Sequence, residues 1–317
     1  SRIPSRKATV ATAWDLIRGS LAKQREMAKP LINKLVIFGV GLIGGSFALA
    51  VKRAKAVRHV VGFGRSEANL RLALKRGVID EIGASIPGAL RDADLVLLSV
   101  PAGRMQAVMK RIAPHLSAHT IVTDAGSTKQ DVVAFAKGCL ASHSKRFVPA
   151  HPIAGAELSG VSAASADLFV NKHLVVTPLA KTNKDALKRV KNLWIACGAK
   201  VSEMTPRRHD EVFAAVSHLP HLLAYALVDV IASKPNAACL FNYAASGFRD
   251  FTRIAGSSPE MWRDIALANR KILFKELADY QKQLKQVATL LQKGDGKALE
   301  RILTRARNAR QKWLRSL

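Results

Sequence analysis

The first two-thirds of the chain alternates short apolar runs with longer segments of helical periodicity. Four runs typical of buried strands lie at residues 35–38, 59–63, 94–100 and 120–124, and helical patterns separate them. Strands and helices that alternate in this way form parallel sheets, because each helix carries the chain back across the sheet. The pattern therefore predicts a doubly wound α/β domain.

The last third of the chain has a different pattern. After strand-like segments at residues 174–177 and 200–202, the sequence is almost wholly helical from about Thr205 onwards. Residues 213–231 are apolar on nearly every side of a helix, which indicates burial between domains or between subunits. We expect this half to form a homodimer.

A glycine-rich turn follows the first strand directly. It reads Gly39-Val-Gly41-Leu-Ile-Gly44-Gly-Ser and leads into a helical segment from Phe47. Between a strand and a helix, this GxGxxG spacing is typical of dinucleotide binding. One glycine makes the tight turn, one lets the backbone approach the pyrophosphate, and one allows close packing of helix on strand. The phosphates would lie on the amides of the helix N-terminus.

The two patterns divide the chain into three parts. Its 317 residues, 49% of them hydrophobic, are enough for two cores. We predict a basic, disordered extension at residues 1–33, a dinucleotide-binding domain at residues 34–203, and a helical substrate and dimerisation domain at residues 204–317. The predicted fold class is an α/β Rossmann-type doubly wound sheet followed by an all-α dimerisation domain.

The position that selects between nicotinamide cofactors carries no carboxylate. Enzymes that prefer NAD hold the ribose with an acidic residue about 20 residues past the glycines. Here the segment reads Gly62-Phe-Gly64-Arg65-Ser66, so nothing would repel a 2′-phosphate, and Arg65 and Ser66 could bind one. We expect NAD or NADP, with NADP weakly favoured. The alternative is that Arg65 is a simple surface cation.

Charge and cysteine content limit the other functions. The net charge of +27 attracts polyanions, but the basic residues are spread along the chain without a nucleic-acid-binding motif, so we expect no specific nucleic acid partner. The three cysteines are far apart and lack metal-ligand spacing, which predicts no metal site and reduced thiols in a cytoplasmic protein. The sequence has no uninterrupted run of about 18 apolar residues, so it predicts no membrane span.

Histidines and arginines supply the candidate chemistry. His151 follows a strand-like segment, where a doubly wound sheet has its cleft, and histidine moves protons near neutral pH. His218 and His221 share a helix face. Arg249 and Arg253 suit a dianionic carboxylate substrate, because a guanidinium binds a carboxylate bidentately. Each also has a structural alternative: a hydrogen-bonded histidine, a pair at a helix interface, or an ion-pair lattice with nearby acids.

Taken in order, these segments resemble the prephenate and arogenate dehydrogenase family, from about Lys34 to about Arg270. Beside the glycine turn, the motifs are Ser99-Val-Pro101, Thr123-Asp-Ala-Gly-Ser-Thr-Lys129, His151-Pro-Ile-Ala-Gly155, Ser217-His-Leu-Pro-His221, Phe248-Arg-Asp-Phe-Thr-Arg-Ile-Ala255 and Met261-Trp-Arg-Asp264. The resemblance implies oxidative decarboxylation of prephenate, arogenate or both in tyrosine biosynthesis, with hydride transfer to NAD or NADP.

The resemblance also implies roles for individual residues. His151 would take the proton from the ring 4-hydroxyl of the substrate, and Ser127 would bridge that hydroxyl and the cofactor. The substrate-binding residues would be Arg253, Arg249, His209, His221 and Glu157. The cofactor-binding residues would be Gly39, Gly41, Leu42, Ile43, Gly44, Arg65, Ser66, Ser99, Val100 and Pro101.

Two other functions stay open at the level of sequence. A β-hydroxyacid-type NAD(P) dehydrogenase also has a glycine-turn sheet followed by helices, although a lysine base would be expected there. A polyanion- or nucleic-acid-binding protein on a Rossmann scaffold would account for the net charge of +27. Its binding would fall steeply between about 50 and 200 mM salt.

Overall fold

The computed structural model describes residues 30–155 and 160–316, which form two sheets and a series of helices. The strands are β1 (Ile32–Phe38), β2 (Val57–Phe63), β3 (Glu81–Ile82), β4 (Leu95–Leu98), β5 (Ile121–Asp124), β6 (Phe147–Val148), β7 (Ala150–Pro152), β8 (His173–Val176) and β9 (Lys200–Glu203). The helices of the first domain are α1 (Leu42–Arg53), α2 (Glu67–Lys75), α3 (Ile86–Leu90), α4 (Ala102–Ile112), α5 (Gln130–Cys139) and α6 (Lys184–Ala196).

Six strands form a parallel sheet in the order β3-β2-β1-β4-β5-β6. The direction of the strand order reverses between β1 and β4, whose residues Val36 and Val96 are paired. In open α/β sheets a ligand binds outside the carboxyl ends of the strands at this reversal. The predicted Rossmann-type sheet is confirmed, and the glycine turn after β1 lies at the expected place.

The central strands are buried because helices cover both faces of the sheet. All four residues of β4 are buried, as expected for a parallel strand with no solvent-facing side. Phe47 of α1 packs against Trp194 of α6 on one face, with ring centroids 4.6 Å apart. Met105 and Phe147 belong to the core on the other face. These two cores hold the carboxyl edge of the sheet rigid.

A second, three-stranded sheet adjoins the first domain. Strand β7 runs antiparallel to β8, and β8 runs parallel to β9. The sequence indicated strand-like segments here but not their separation from the main sheet. Strand β7 pairs His151 with Val175 of β8, so this small sheet carries the histidine to the edge of the domain.

The second domain consists of helices and begins with α7 at Pro206, directly after β9 ends at Glu203. Its helices are α7 (Pro206–Phe213), α8 (Leu219–Ala232), α9 (Ala237–Asn242), α10 (Ser246–Thr252), α11 (Pro259–Ala268), α12 (Arg270–Lys293) and α13 (Gly296–Leu314). A π-helical segment, Ala214–His218, joins α7 to α8 without a break.

The first strand starts two residues before the predicted start of the domain at residue 34. Strand β1 begins at Ile32, which is 1% exposed, rather than at Lys34. Ile32 belongs to the core because its side chain lies under the sheet, and its amide donates to the carbonyl of Ala56 at 3.0 Å. Residues 1–29 of the predicted disordered extension lie outside the described residues.

Candidate active site

The glycine turn is shaped for a group that approaches the backbone closely. Gly39 has φ +100°, and a Cβ there would lie 2.1 Å from the carbonyl oxygen of Ser99. A Cβ on Gly44 would lie 2.3 Å from the carbonyl oxygen of Gly39, whereas a Cβ on Gly41 would meet nothing within 4 Å. Gly39 and Gly44 therefore close the turn, and Gly41 leaves open space above it. This division fits a bound pyrophosphate.

The N-terminus of α1 supplies the donors for such an anion. Gly41 occupies the N-cap position and provides no side-chain hydrogen bond, so the first amides of the helix, including those of Leu42 and Ile43, have no capping side chain. The Ser99-Val100-Pro101 segment runs alongside, and the Ser99 amide donates to the carbonyl of Phe38 at 2.8 Å. These residues meet because β1 and β4 are neighbours in the sheet.

Arg65 and Ser66 lie beyond the carboxyl end of β2, on the same edge of the sheet. The Ser66 hydroxyl accepts from the amide of Asn69 at 3.2 Å and caps α2. The Arg65 side chain is 72% exposed, and its Nη1 atom lies 4.0 Å from Glu260 of α11. Arg65 is therefore exposed with Glu260 as its ion-pair partner, while Ser66 has a local structural contact.

His151 meets the second domain through a hydrogen bond to another histidine. The Nδ1 atom of His151 lies 2.8 Å from the Nε2 atom of His209 on α7. The Phe213 ring packs against both, at centroid distances of 5.0 and 4.5 Å. Burial lowers the pKa of His151 well below 6.5, and the neighbouring His209 lowers it further, so its imidazole is neutral.

His209, predicted to bind the substrate, contacts both His151 and Asp210. Its side chain is fully buried behind His151, and its Nδ1 atom lies 2.8 Å from the Asp210 carboxylate. Asp210 in turn accepts from the amides of Lys129 at 2.8 Å and Gln130 at 2.9 Å, at the N-terminus of α5. Asp210 thus caps a helix of the first domain from the second.

A second buried group links the π-helical segment to the loop that carries Ser127. Asn269 donates to the backbone carbonyl of Asp210 at 2.9 Å and contacts the Nδ1 atom of His218 at 3.2 Å. Burial lowers the pKa of His218 to about 4, although the adjacent backbone of Ser127 acts against this shift. His218 therefore lies beside the Ser127 backbone at the junction of the two domains.

The predicted anion-binding residues lie on the helical side of this junction. Arg253 begins a 3₁₀ turn after α10. Burial lowers the pKa of His221, and the charge of Arg253 lowers it further. The His221 ring stacks on Trp262 of α11 at a centroid distance of 3.5 Å. Arg249 lies on α10 with its side chain exposed. Arg253 and His221 are thus brought near each other, with Arg249 one helical turn before Arg253.

Glu157 was predicted to bind the substrate. Glu157 lies outside the described residues. Within residues 30–155 and 160–316, no group of three or more His, Cys, Asp or Glu side chains could hold a metal ion.

Sequence reasoning missed a buried ion pair beneath the site. The Lys129 ammonium pairs with the Asp124 carboxylate, and both side chains are fully buried. Asp124 also accepts from the amides of Gly126 at 2.8 Å and Ala150 at 3.1 Å. The pair therefore ties the loop that carries Ser127 to the start of β7. Its signal was a lysine in the N-cap position of α5, where a capping side chain is usual.

The buried histidines make stability depend on pH. Burial lowers the pKa values of His151, His209 and His218, so the folded chain binds fewer protons than the unfolded chain below pH 6.5. We expect the free energy of unfolding, measured by urea titration, to fall between pH 7 and 5, by up to about 1.4 kcal/mol per pH unit for each such histidine. His218→Asn should reduce this slope.

The exposed His115 provides the control for this measurement. His115→Asn should leave the slope unchanged, because it removes an exposed rather than a buried histidine. An equal slope in wild type and His218→Asn would contradict the inferred burial of a neutral imidazole.

A dinucleotide-binding sheet, an anion-binding turn and a neutral histidine at a domain junction define a nicotinamide-dependent dehydrogenase with a helical second domain. Family models described as the nucleotide-binding and dimerization domains of prephenate dehydrogenase match residues 47–203 and 205–305. The chain therefore belongs to the prephenate dehydrogenase family.

Individual relatives agree with this family. The chain is 37% identical to prephenate dehydrogenase of Bacillus subtilis, over 88% of this chain and 75% of the relative. It resembles the crystal structure of A. aeolicus prephenate dehydrogenase with hydroxyphenyl propionate and NAD+, with 38% identity, a TM-score of 0.83, and coverage of 88% and 98% of the two chains. The crystal structure of Synechocystis arogenate dehydrogenase is 31% identical, with a TM-score of 0.74 and coverage of 88% of this chain and 99% of that one.

Proposed function

We propose that the chain oxidises and decarboxylates prephenate, arogenate or both, with hydride transfer to a nicotinamide dinucleotide, in the biosynthesis of tyrosine. The relatives that it matches over most of their length are named for these two substrates. The observation that carries the proposal is the neutral imidazole of His151, hydrogen-bonded to His209 where the first domain meets the helical domain. We propose that the enzyme works in the cytoplasm, where thiols stay reduced, and its three cysteines are free.

The residues suit the chemistry of the ring. Prephenate and arogenate carry a hydroxyl and a hydrogen on ring C4 and a carboxylate on ring C1. In the proposed reaction, the hydrogen leaves C4 as hydride, the hydroxyl proton moves toward Nε2 of His151, and the electrons of the bond to the carboxylate enter the ring as carbon dioxide departs. The new phenolate oxygen then recovers a proton, so no net proton is released.

The other candidate residues would orient the substrate. Ser127 would hydrogen-bond the 4-hydroxyl, which keeps C4 facing the cofactor. Arg253, with Arg249 nearby, would bind a carboxylate of the substrate, and His221 would stand beside it on the Trp262 ring. Orientation is the main requirement, because formation of an aromatic ring drives the loss of carbon dioxide. The nicotinamide cofactor supplies the hydride acceptor when bound.

The test is an absorbance assay at 340 nm with each substrate against each cofactor. Reduced cofactor in any of the four mixtures, accompanied by carbon dioxide release, supports the proposal and assigns both specificities. Absence of reaction in all four mixtures, with folded protein that binds cofactor, would overturn it and favour a hydroxyacid dehydrogenase.

We propose a weak preference for NADP. Arg65 stands exposed at the end of β2, and a 2′-phosphate could replace Glu260, 4.0 Å away, as its partner. Arg65→Ser should raise the KM for NADP by about 10-fold or more, since a charged hydrogen bond contributes about 1.5–3 kcal/mol. The KM for NAD should stay nearly constant. Arg71→Ser, which removes an exposed arginine of α2, is the control, and equal changes for both cofactors would contradict the role of Arg65.

We also propose that the enzyme is a homodimer whose subunits meet on the helical domain. By length and composition, the helical stretch Pro206–Ala232 could span a membrane, and only 17% of its most apolar window is buried within one chain. The stretch also carries Asp210 and His209, which are buried in hydrogen bonds to the first domain. A second subunit is therefore a better cover than lipid, and the matching family model describes a dimerization domain.

The homodimer predicts a change of mass in solution. Val230 on α8 is 57% exposed, and Val230→Asp should shift the molar mass measured by light scattering from dimer toward monomer. Ile195 on α6 is 54% exposed but lies on the first domain, so Ile195→Asp should leave the dimer intact. A monomeric wild type would contradict the proposal.

A further inference from the structure

We infer that His209 and Asp210 are positioning residues that hold His151 in the tautomer able to accept a proton. The inference rests on the proposed function, because His151 is the base of that reaction. The three side chains form one continuous chain of hydrogen bonds: Asp210 Oδ1 lies 2.8 Å from His209 Nδ1, and His209 Nε2 lies 2.8 Å from His151 Nδ1.

The far end of the chain is fixed as a carboxylate. Burial acts to raise the pKa of Asp210, but hydrogen bonds from His209 and from the amides of Gln130 and Lys129 outweigh it, and the pKa lies below its ordinary value. The Gln130 side chain also donates to Asp210 at 3.2 Å. The carboxylate thus sits at the positive end of α5 and is stabilised there as an anion. An ionised carboxylate can only accept hydrogen bonds.

This end determines the tautomer of His209. Burial lowers the pKa of His209 despite its bond to Asp210, so its imidazole is neutral and carries one N–H. The N–H must be on Nδ1, because Asp210 is an acceptor. Nε2 of His209 therefore has a lone pair and accepts from His151 Nδ1. His151 in turn has its N–H on Nδ1, which leaves a lone pair on Nε2.

Packing prevents water from substituting for this chain. His209 has no exposed surface, Asp210 is 2% exposed, and Phe213 covers both histidine rings. A neutral imidazole without a fixed partner exchanges between two tautomers, and only one of them can take the proton of the 4-hydroxyl through Nε2. The buried chain selects that tautomer before substrate arrives.

Two amide variants of His209 separate its two contacts. The glutamine amide reaches the place of the imidazole Nε2 atom, so His209→Gln can still accept from His151. The asparagine amide reaches only the place of Nδ1, so His209→Asn keeps the contact to Asp210 and loses that to His151. We expect kcat to fall about 10- to 100-fold in His209→Asn, which is part of the 10² to 10⁴ that general-base catalysis contributes. His209→Gln should keep most of it.

The pH profile provides a signature of the tautomer. The fall in kcat of His209→Asn should persist on the plateau of the profile, because exchange between two neutral tautomers takes up no proton. The KM values for substrate and cofactor should change by less than about twofold, since the tautomer affects the reaction step rather than binding. An equal loss in the glutamine and asparagine variants, with both folded by thermal melting, would overturn the inference.

A double variant tests whether His209 acts through His151. If it does, His151→Asn combined with His209→Asn should be no slower than His151→Asn alone, because the positioned group is already absent. Independent, multiplicative losses would overturn the positioning role. The wild type is assayed first. An enzyme inactive on both substrates counts against the proposed function. Multiplicative losses in an active enzyme count against the positioning role alone.

Discussion

Replacing His151 with asparagine is expected to lower kcat by about 10² to 10⁴, with folding and cofactor binding largely intact. The loss corresponds to about 3–5 kcal/mol of transition-state stabilisation. Asparagine keeps a polar group at the place of Nδ1 but has no basic lone pair at the place of Nε2 to take the 4-hydroxyl proton. The measurement is steady-state kinetics at 340 nm, with cofactor affinity determined separately by fluorescence titration.

His173 offers a matched control for this variant. It is an exposed histidine on β8, in the same small sheet as His151, so His173→Asn changes the same residue type without touching the domain junction. Its kcat should stay close to that of wild type. If His151→Asn kept more than about half of the wild-type activity, the assignment of His151 as the base would be wrong.

The wild-type kcat should depend on pH through protonation of His151. Because burial lowers the pKa of His151 well below 6.5, the basic form persists as the pH falls below the ordinary range of histidine. The acid limb of the kcat profile should therefore lie below pH 6.5.

Replacing Lys129 with methionine is expected to lower the free energy of unfolding by about 3–5 kcal/mol, because it leaves the buried Asp124 carboxylate without its partner. Both side chains of the pair are fully buried, so water cannot solvate the remaining charge. Burial raises the pKa of Asp124 above its ordinary value, and loss of the lysine would raise it further. Urea unfolding at pH 7 measures the change.

A partly exposed ion pair of the same type provides the control. The Nζ atom of Lys52 lies 2.5 Å from Oδ1 of Asp80, and the two side chains are 27% and 31% exposed. Lys52→Met should cost only about 0–1 kcal/mol, because solvent screens such a pair. The double variant Asp124→Leu and Lys129→Met should recover part of the loss, since it removes both buried charges. Equal costs at Lys129 and Lys52 would contradict the inferred burial.

The sequence predicted the turn after β1 and the strands around it because their signals are local. Gly39, Gly41 and Gly44 specify the turn after β1 through their own conformations, and the apolar runs specify the parallel strands on either side. The position of Ser99 beside Gly39 then follows from the order of strands in such a sheet.

The catalytic half was predicted less completely because its contacts join distant segments. The sequence predicted His209 as a substrate-binding residue but gave no sign of its hydrogen bonds to His151 and Asp210. Asp210 caps α5 although it lies 81 residues after Lys129 in the sequence. No periodicity marks such a pair.

By itself, the sequence determined the class of fold, the cofactor turn and the identity of the candidate base, since backbone conformation, burial pattern and side-chain chemistry are properties of short segments. The tertiary structure alone decided that Asp210 caps α5 and holds His209 against His151, and that Asp124 and Lys129 are buried together beneath Ser127. The physical reason is that a tautomer, a pKa and an ion-pair energy depend on which groups share a water-free space, and only packing brings those groups together.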